Sequence, residues 1–208
     1  MIELIEKTRP NKTSELMLDV TITYLEMHQR PIIGQSCSYA VEHISVLELY
    51  QPTMSFYRYL YYHVGEPWRW YKRRLLNDNN LRSIIHNPEV SIYVLYFHGS
   101  PAGYFELDGR LKNEIELAYF GLLPDFIGRG LGPKLLNWAL KSAWNQGPNR
   151  VWVHTCTLDH PKAIHCYRQA GFKTYREETI KIRDPWSEPY WSVGLPSRSE
   201  NLPPDNLA

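Results

Sequence analysis

Leu16, Leu18, Val20, Ile22 and Tyr24 alternate with Asp19, Thr21 and Thr23, the period-two pattern of a strand with one face buried. A turn through Pro31 and Gly34 leads to a second candidate strand, Tyr39 to Val46, and the two are expected to pair antiparallel at the N-terminal edge of a sheet. The spacing next predicts helices over about 54–63 and 79–86, joined by the Trp-bearing run GEPWRWYKRR. Val90 to Phe97 and Ala102 to Leu107 are apolar runs separated by His98-Gly99-Ser100-Pro101, a hairpin signal, and Glu114 to Leu123 extends the same antiparallel meander. Leu135, Leu136, Ala139, Leu140 and Ala143 recur at helical spacing and stop at Gly147-Pro148. A strand over Val151–Thr157, a helix over about Pro161–Ala170 and a last strand over Lys173–Ile182 complete the pattern.

Two segments carry candidate chemistry. Between the Glu114 strand and the following helix stand Gly128, Gly130 and Gly132. Alternating glycines let the backbone take positive φ and approach a ligand closely, and the free amides at a helix start converge on an anion such as a phosphate. Taken alone, such a turn is also an ordinary tight strand-to-helix connection. The second segment is HPKAIHCYRQAGF, His160 to Phe172, placed after the Val151 strand.

Together, in this order and spacing, the two segments resemble the signatures of the GNAT superfamily of N-acetyltransferases. Ile127 to Gly132 occupy the frame of Gln or Arg, two residues, Gly, one residue, then Gly or Ala, which in that family cradles the pyrophosphate of acetyl-CoA. Ala163, Tyr167, Gly171 and Phe172 fill the second frame in register. Ile127 departs from the usual Gln or Arg, His160 stands where Asn is common, and Pro133 has no amide hydrogen to offer. Proline is well suited to the first turn of a helix, so the departure removes a ligand donor and not the helix. The resemblance spans about Tyr39 to Ile182. It implies an α/β (α+β type) fold: a mixed, mostly antiparallel central sheet with helices on both faces, and a splayed parallel strand pair around residues 114–157 that holds the pantetheine arm.

The same resemblance implies site roles. Glu116 is the expected base, because it precedes Leu122 by the interval at which family members with a glutamate base place it. Glu114 is its substitute, directly or through water, and His154 on the next strand is a third candidate because imidazole titrates near neutrality. An unbroken strand would put Glu114, Glu116, Ala118 and Phe120 on one face. Tyr167 is expected to protonate the leaving thiolate, or to hydrogen-bond the sulfur. The cofactor set is Leu122, Leu123, Ile127, Gly128, Arg129, Gly130, Leu131, Gly132, His160 and Ala163. Acceptor contacts fall to Trp68 and Trp70, with Glu114 and His154 facing the same site; the aromatic faces suit a cationic amine or an aromatic substrate, and equally an ordinary core. The reaction implied is direct acetyl transfer to a primary amine of a small molecule or peptide. The alternative is a non-catalytic acyl-CoA-binding or regulatory module. A P-loop enzyme does not fit, since no Gly-Lys-Ser/Thr follows the glycines.

Composition narrows the remaining choices. The 208 residues suffice for one sizeable core, read as a single domain over 1–183 with 1–38 as an N-terminal strand extension and a Pro-rich tail, 184–208, carrying Trp186, Tyr190 and Trp191. With 23 Lys and Arg against 22 Asp and Glu, nothing favours nucleic acid or an anionic membrane as partner. The run Lys72-Arg73-Arg74 reads as a solvated helix face, or as a hold on the CoA 3′-phosphate. Cys37, Cys156 and Cys166 show no metal-like clustering, so no metal is expected, and the odd number suits reduced thiols. With neither a signal-type start nor an apolar span of bilayer length, the expected location is the cytoplasm, with a homodimer among the assemblies open to the chain.

Overall fold

The computed structural model of the chain describes residues 17–31 and 43–187. Leu16, Cys37, the Tyr39–Glu42 part of the second expected strand, and Tyr190 and Trp191 lie outside the described residues.

The first alternating run is strand β1 (Met17–Met27), and Ile44–Glu48 is β2. Helix α1 (Met54–Gly65) starts where Thr53 accepts a hydrogen bond from the Phe56 amide at 3.3 Å, and α2 (Asp78–Ile85) where Asn77 accepts from Asn80 at 2.9 Å. Then come β3 (Val90–Phe97), β4 (Ser100–Asp108), β5 (Glu114–Leu122), α3 (Leu131–Asn145), β6 (Arg150–Cys156), α4 (Ala163–Gln169) and β7 (Lys173–Arg183). Within the described residues each expected element has a counterpart, with ends shifted by a few residues; of the second expected strand only its final part, from Ile44, is described.

Among the described residues the sheet has seven strands in the order β2-β3-β4-β5-β6-β1-β7; β5 and β6 run parallel and every other neighbouring pair is antiparallel. The expected pairing of the first two strands is therefore wrong. β2 pairs with β3 at one edge, while β1 lies between β6 and β7, with Tyr24 opposite both His154 and Arg176. Periodicity reports that a strand has a buried face and carries no information about its partner.

Helices cover both faces. On one, α3 sends Leu131, Leu135, Leu136, Ala139, Leu140 and Ala143 against Leu25, Phe105, Leu117, Val151 and Val153. On the other, Tyr57, Leu60, Tyr61 and Val64 of α1 and Leu81 and Ile85 of α2 pack on Ile92, Val94 and Tyr104. The second core holds a buried ion pair: Arg73 Nη2 donates to Glu106 Oε1 at 2.6 Å, and the Tyr57 hydroxyl donates to Glu106 Oε2 at 2.6 Å. The basic run is thus no solvated helix face. It lies in a turn, with Arg73 over the Tyr119 ring and Arg74 donating to the Trp70 carbonyl and standing over Tyr62.

Candidate active site

The parallel β5–β6 ladder spans only Glu114–Glu116 against Arg150–Trp152. Beyond it the strands part, opening a gap that runs through the sheet. A register shift in β5 falls at the same place: Leu107 faces Leu117 while Glu106 faces Tyr119, so Ala118 is an extra residue. The bulge exchanges the two faces of the strand. Ile115 and Leu117 point to the α3 side, and after the bulge so do Phe120 and Leu122, while Tyr119 turns to the α1 side. Phe120 accordingly does not share a face with Glu116, contrary to the unbroken-strand expectation. At the end of β5 the Leu123 amide donates to the Ala102 carbonyl at 2.9 Å. Hydrogen-bonded and non-hydrogen-bonded pairs alternate in an antiparallel ladder, so the adjacent Leu122–Gly103 pair is non-bonded and the Leu122 amide points away from β4, into the gap. Leu123, also expected to contact cofactor, has its amide spent and its side chain buried in the α1 core.

The glycine turn stands at the mouth of this gap. Gly128 and Gly130 hold φ of 83° and 73°, and Gly130 caps α3. A Cβ built on either would meet nothing within 4 Å, so both face open space, and the first α3 amides have no intrahelical acceptor. These features fit an anionic group such as a pyrophosphate. Pro133, third in the helix, removes one donor from the set. Leu131 contributes only backbone, since its side chain is in the core, and the Arg129 guanidinium turns back over the Phe126 ring at 5.4 Å. Gly130→Ala puts a methyl into the open turn and forces an L-residue into the left-handed region, at about 1–2 kcal/mol. CoA affinity measured by calorimetry should fall roughly 10-fold or more; an unchanged Kd would remove the turn from the binding site.

A single cleft of about 850 Å³ joins the turn to both sides of the gap. On the α1 side, Glu116 and His154 line it together, with Glu116 Oε1 accepting from His154 Nδ1 at 2.9 Å. The carboxylate can only accept, so Nδ1 carries the proton and one carboxylate oxygen is fixed while the other remains available. Glu114 is not part of the cleft lining. It is held by Arg150 at 2.9 Å at the closed end of the ladder, and the same guanidinium lies 2.7 Å from Glu26.

On the α3 side, Tyr167 borders the cleft with Ala163 and Cys166, its ring edge-on to Phe120 and Phe172. Burial pushes its phenol well above the usual range, with Asp159 adding to the effect, so it is held as a hydrogen-bond donor. Cys156 also faces the cleft, and burial lifts its thiol to about 11, which leaves little thiolate at neutral pH.

Trp68 and Trp70 close one wall. Trp68 ends a 3₁₀ turn, Glu66–Trp68, and its ring meets His160 edge-on at 5.0 Å. His160 Nδ1 accepts from the Lys162 amide at 3.1 Å. Trp70 Nε1 donates to Asp159 Oδ1 at 3.3 Å. Asp159, which the sequence did not single out, ties the loop after β6 to this wall; its other oxygen accepts from Thr155 Oγ1 and the Cys156 amide. Arg69, in the left-handed region, lies 3.5 Å from buried Asp184 and 4.8 Å from the Trp186 ring, so the start of the expected tail packs behind the same wall. The one signal for Asp159 was its place directly before His160-Pro161-Lys162, at the end of a strand; Asp184 had none.

Residues 44–172 match the model of the Acetyltransferase (GNAT) family. An uncharacterized N-acetyltransferase of Methanocaldococcus jannaschii is 28% identical over 130 residues, 58% of this chain and 51% of the relative, so the match spans about half of that protein's length. Among solved structures, a GCN5-related N-acetyltransferase from Kribbella flavida superposes with a TM-score of 0.55 at 14% identity, covering 81% of this chain and 60% of its own. An aminoglycoside acetyltransferase from an uncultured soil metagenomic sample, in complex with sisomicin, superposes with a TM-score of 0.52 at 11% identity, covering 62% and 88%. These structural likenesses concern the fold; with the match to residues 44–172, this chain belongs to the GNAT acetyltransferase family.

Proposed function

We propose that the protein is an acetyl-CoA-dependent N-acetyltransferase that moves the acetyl group directly to a primary amine. The observation that carries this reading is the position of the gap. Glu116 with His154 on one face, and Tyr167 with the glycine turn on the other, reach one cleft through the opening where the ladder stops. A reactant lodged there is accessible to a base from one side and to a leaving-group donor from the other.

Acetyl-CoA, when bound, supplies an acetyl group already activated as a thioester. The amides of Gly128, Gly130 and Gly132 would hold its pyrophosphate, and Leu122, Ile127, His160 and Ala163 would flank the rest of the molecule. An alkylammonium resembling lysine has a pKa of about 10.4, so freeing its lone pair at pH 7 costs roughly 4–5 kcal/mol. Glu116 accepts that proton, with His154 positioning the carboxylate. The Leu122 amide, aimed into the gap, is the donor for the carbonyl oxygen as negative charge builds on it. Tyr167, kept protonated by burial, donates a hydrogen bond to the departing thiolate sulfur.

Tyr167→Phe tests the assignment. Turnover, followed as thiol release, should drop about 100-fold while acetyl-CoA affinity stays near wild type. Equal losses in both would make the tyrosine a packing residue.

A further inference from the structure

We infer that the acceptor is a monoamine whose single ammonium sits on a neutral, apolar body, and that this body lies over the β1–β7 half of the sheet. The inference rests on the transferase reading above and names the class of substrate for the same site.

The first observation is an apolar arm of the cleft. On the Glu116 side of the sheet, Tyr24 lies opposite His154 and Ile22 opposite Cys156, and Val20 follows beside Ile180. Strand residues two apart on one face are separated by about 6.6–6.8 Å, so this row runs from His154 to Val20 over roughly 13 Å. Val20, Ile22, Leu158, Ile180, Ile182 and Trp68 line the cleft along it. Among the described residues, the cores of α1 and α2 rest on β3, β4 and β5.

The second observation is charge. Among the described residues, the carboxylates lining the cleft are Asp108, Glu116 and Asp159; Asp108 and Asp159 are committed, and the free oxygen of Glu116 is the one that meets the reacting ammonium. Burial alone would raise the Asp108 carboxyl, but the Arg110 guanidinium beside it outweighs burial and holds it below the usual range. Asp159 accepts from Thr155, Cys156 and Trp70, and Glu116 from His154. The lining also carries Arg69, Lys72, Arg73, Arg110 and Lys162. A polyamine or aminoglycoside would bring further ammonium groups into a cleft where, among the described residues, no spare carboxylate receives them. An alkyl or aryl body would instead displace water from Ile22, Ile180 and Ile182, with the already buried Val20 closing the end of the arm, a gain proportional to the apolar area covered.

The test measures thiol release by acetyl-CoA-saturated protein across ethylamine, butylamine, hexylamine and 2-phenylethylamine, with spermidine as the polycation. Binding of the same amines to CoA-loaded protein is read in parallel from tryptophan fluorescence. The expected result is a kcat/KM that climbs about 4-fold per methylene, with spermidine below hexylamine. In Ile180→Asp, at a 40% exposed position on the edge strand, the hexylamine-to-ethylamine ratio should collapse towards one. A flat series, a preference for spermidine, or the same climb in Ile180→Asp overturns the inference and leaves the transferase reading standing. If no amine releases thiol, the order of binding decides the inference in the same way, while the absence of release counts against the transferase. Failure to bind acetyl-CoA at all removes both.

Discussion

Glu116→Gln should lower kcat/KM for the amine about 10²–10⁴-fold at pH 7, the usual range for a lost general base. The substitution keeps an oxygen to accept from His154 and retains the side-chain volume, so the cleft should survive it. What it removes is the group that takes the ammonium proton. The deficit should therefore narrow as pH rises, by about one log unit per pH unit, because solvent then does the deprotonation up to the amine's own pKa near 10.4. Acetyl-CoA affinity should not change, since the glutamate lies across the gap from the glycine turn. A deficit constant between pH 7 and 10 would show that Glu116 acts otherwise than as the base. His154→Gln, which only unfixes the carboxylate, should cost far less at saturating substrate.

The largest effect on stability is expected from Arg73→Met. The fully buried Glu106 carboxylate would be left with the Tyr57 hydroxyl alone, and removing one partner of a buried ion pair costs about 3–5 kcal/mol. For a chain of this size the melting temperature should fall by roughly 6–20 °C. Burial already lifts the Glu106 carboxyl above its ordinary range, while Arg73 and Tyr57 pull it back. Without Arg73 the folded carboxyl rises further, so the folded state binds more protons than the unfolded one above the unfolded value near 4.3. Stability is then lost as pH rises through that window, and the variant's deficit should be smaller at pH 5 than at pH 8. Adding Glu106→Gln, which still accepts from Tyr57, should restore more than half of the loss. Thermal denaturation of both variants at the two pH values checks this; a loss independent of pH would mean that Arg73 matters through packing on Tyr119.

What the sequence made legible was local. The segment from Glu114 to Phe172 carries its own punctuation: glycines before α3, Gly147-Pro148 after it, and a tyrosine four places before Gly171-Phe172. Its strands and helices follow one another in space as in sequence. The places that escaped reading are those where distant residues decide. β1 finds its partners more than a hundred positions away, and alternation is blind to that. The bulge at Ala118 left no mark, since Leu-Ala-Tyr-Phe reads as continuous strand, yet it determines which side of the sheet Phe120 faces. Lys72-Arg73-Arg74 looks solvated because charge normally is; Glu106, a polar residue inside the Ala102–Leu107 run that the sequence did not single out, is what brings Arg73 inside. The Glu116–His154 contact was present only as two separate candidates, since nothing in the spacing shows that a parallel pair places them side by side.

The position of β1 also bears on how the chain is made. Thr21 and Thr179, whose hydroxyls meet at 2.9 Å, are 158 positions apart. At about 5–20 residues per second, a ribosome needs roughly 8–30 s to make the partner after the first has emerged. Until β6 is made, more than a hundred positions later, this eleven-residue strand with one apolar face has neither neighbour, and β6 and β7 then take their places on either side of it. Completion of this part of the sheet therefore waits on strands made well after β1, and a cell making this protein must keep that segment from sticking elsewhere in the meantime. A peptide of the β1 sequence offered to a chain lacking it has a ready-made place to bind, by adding a strand between two that already exist.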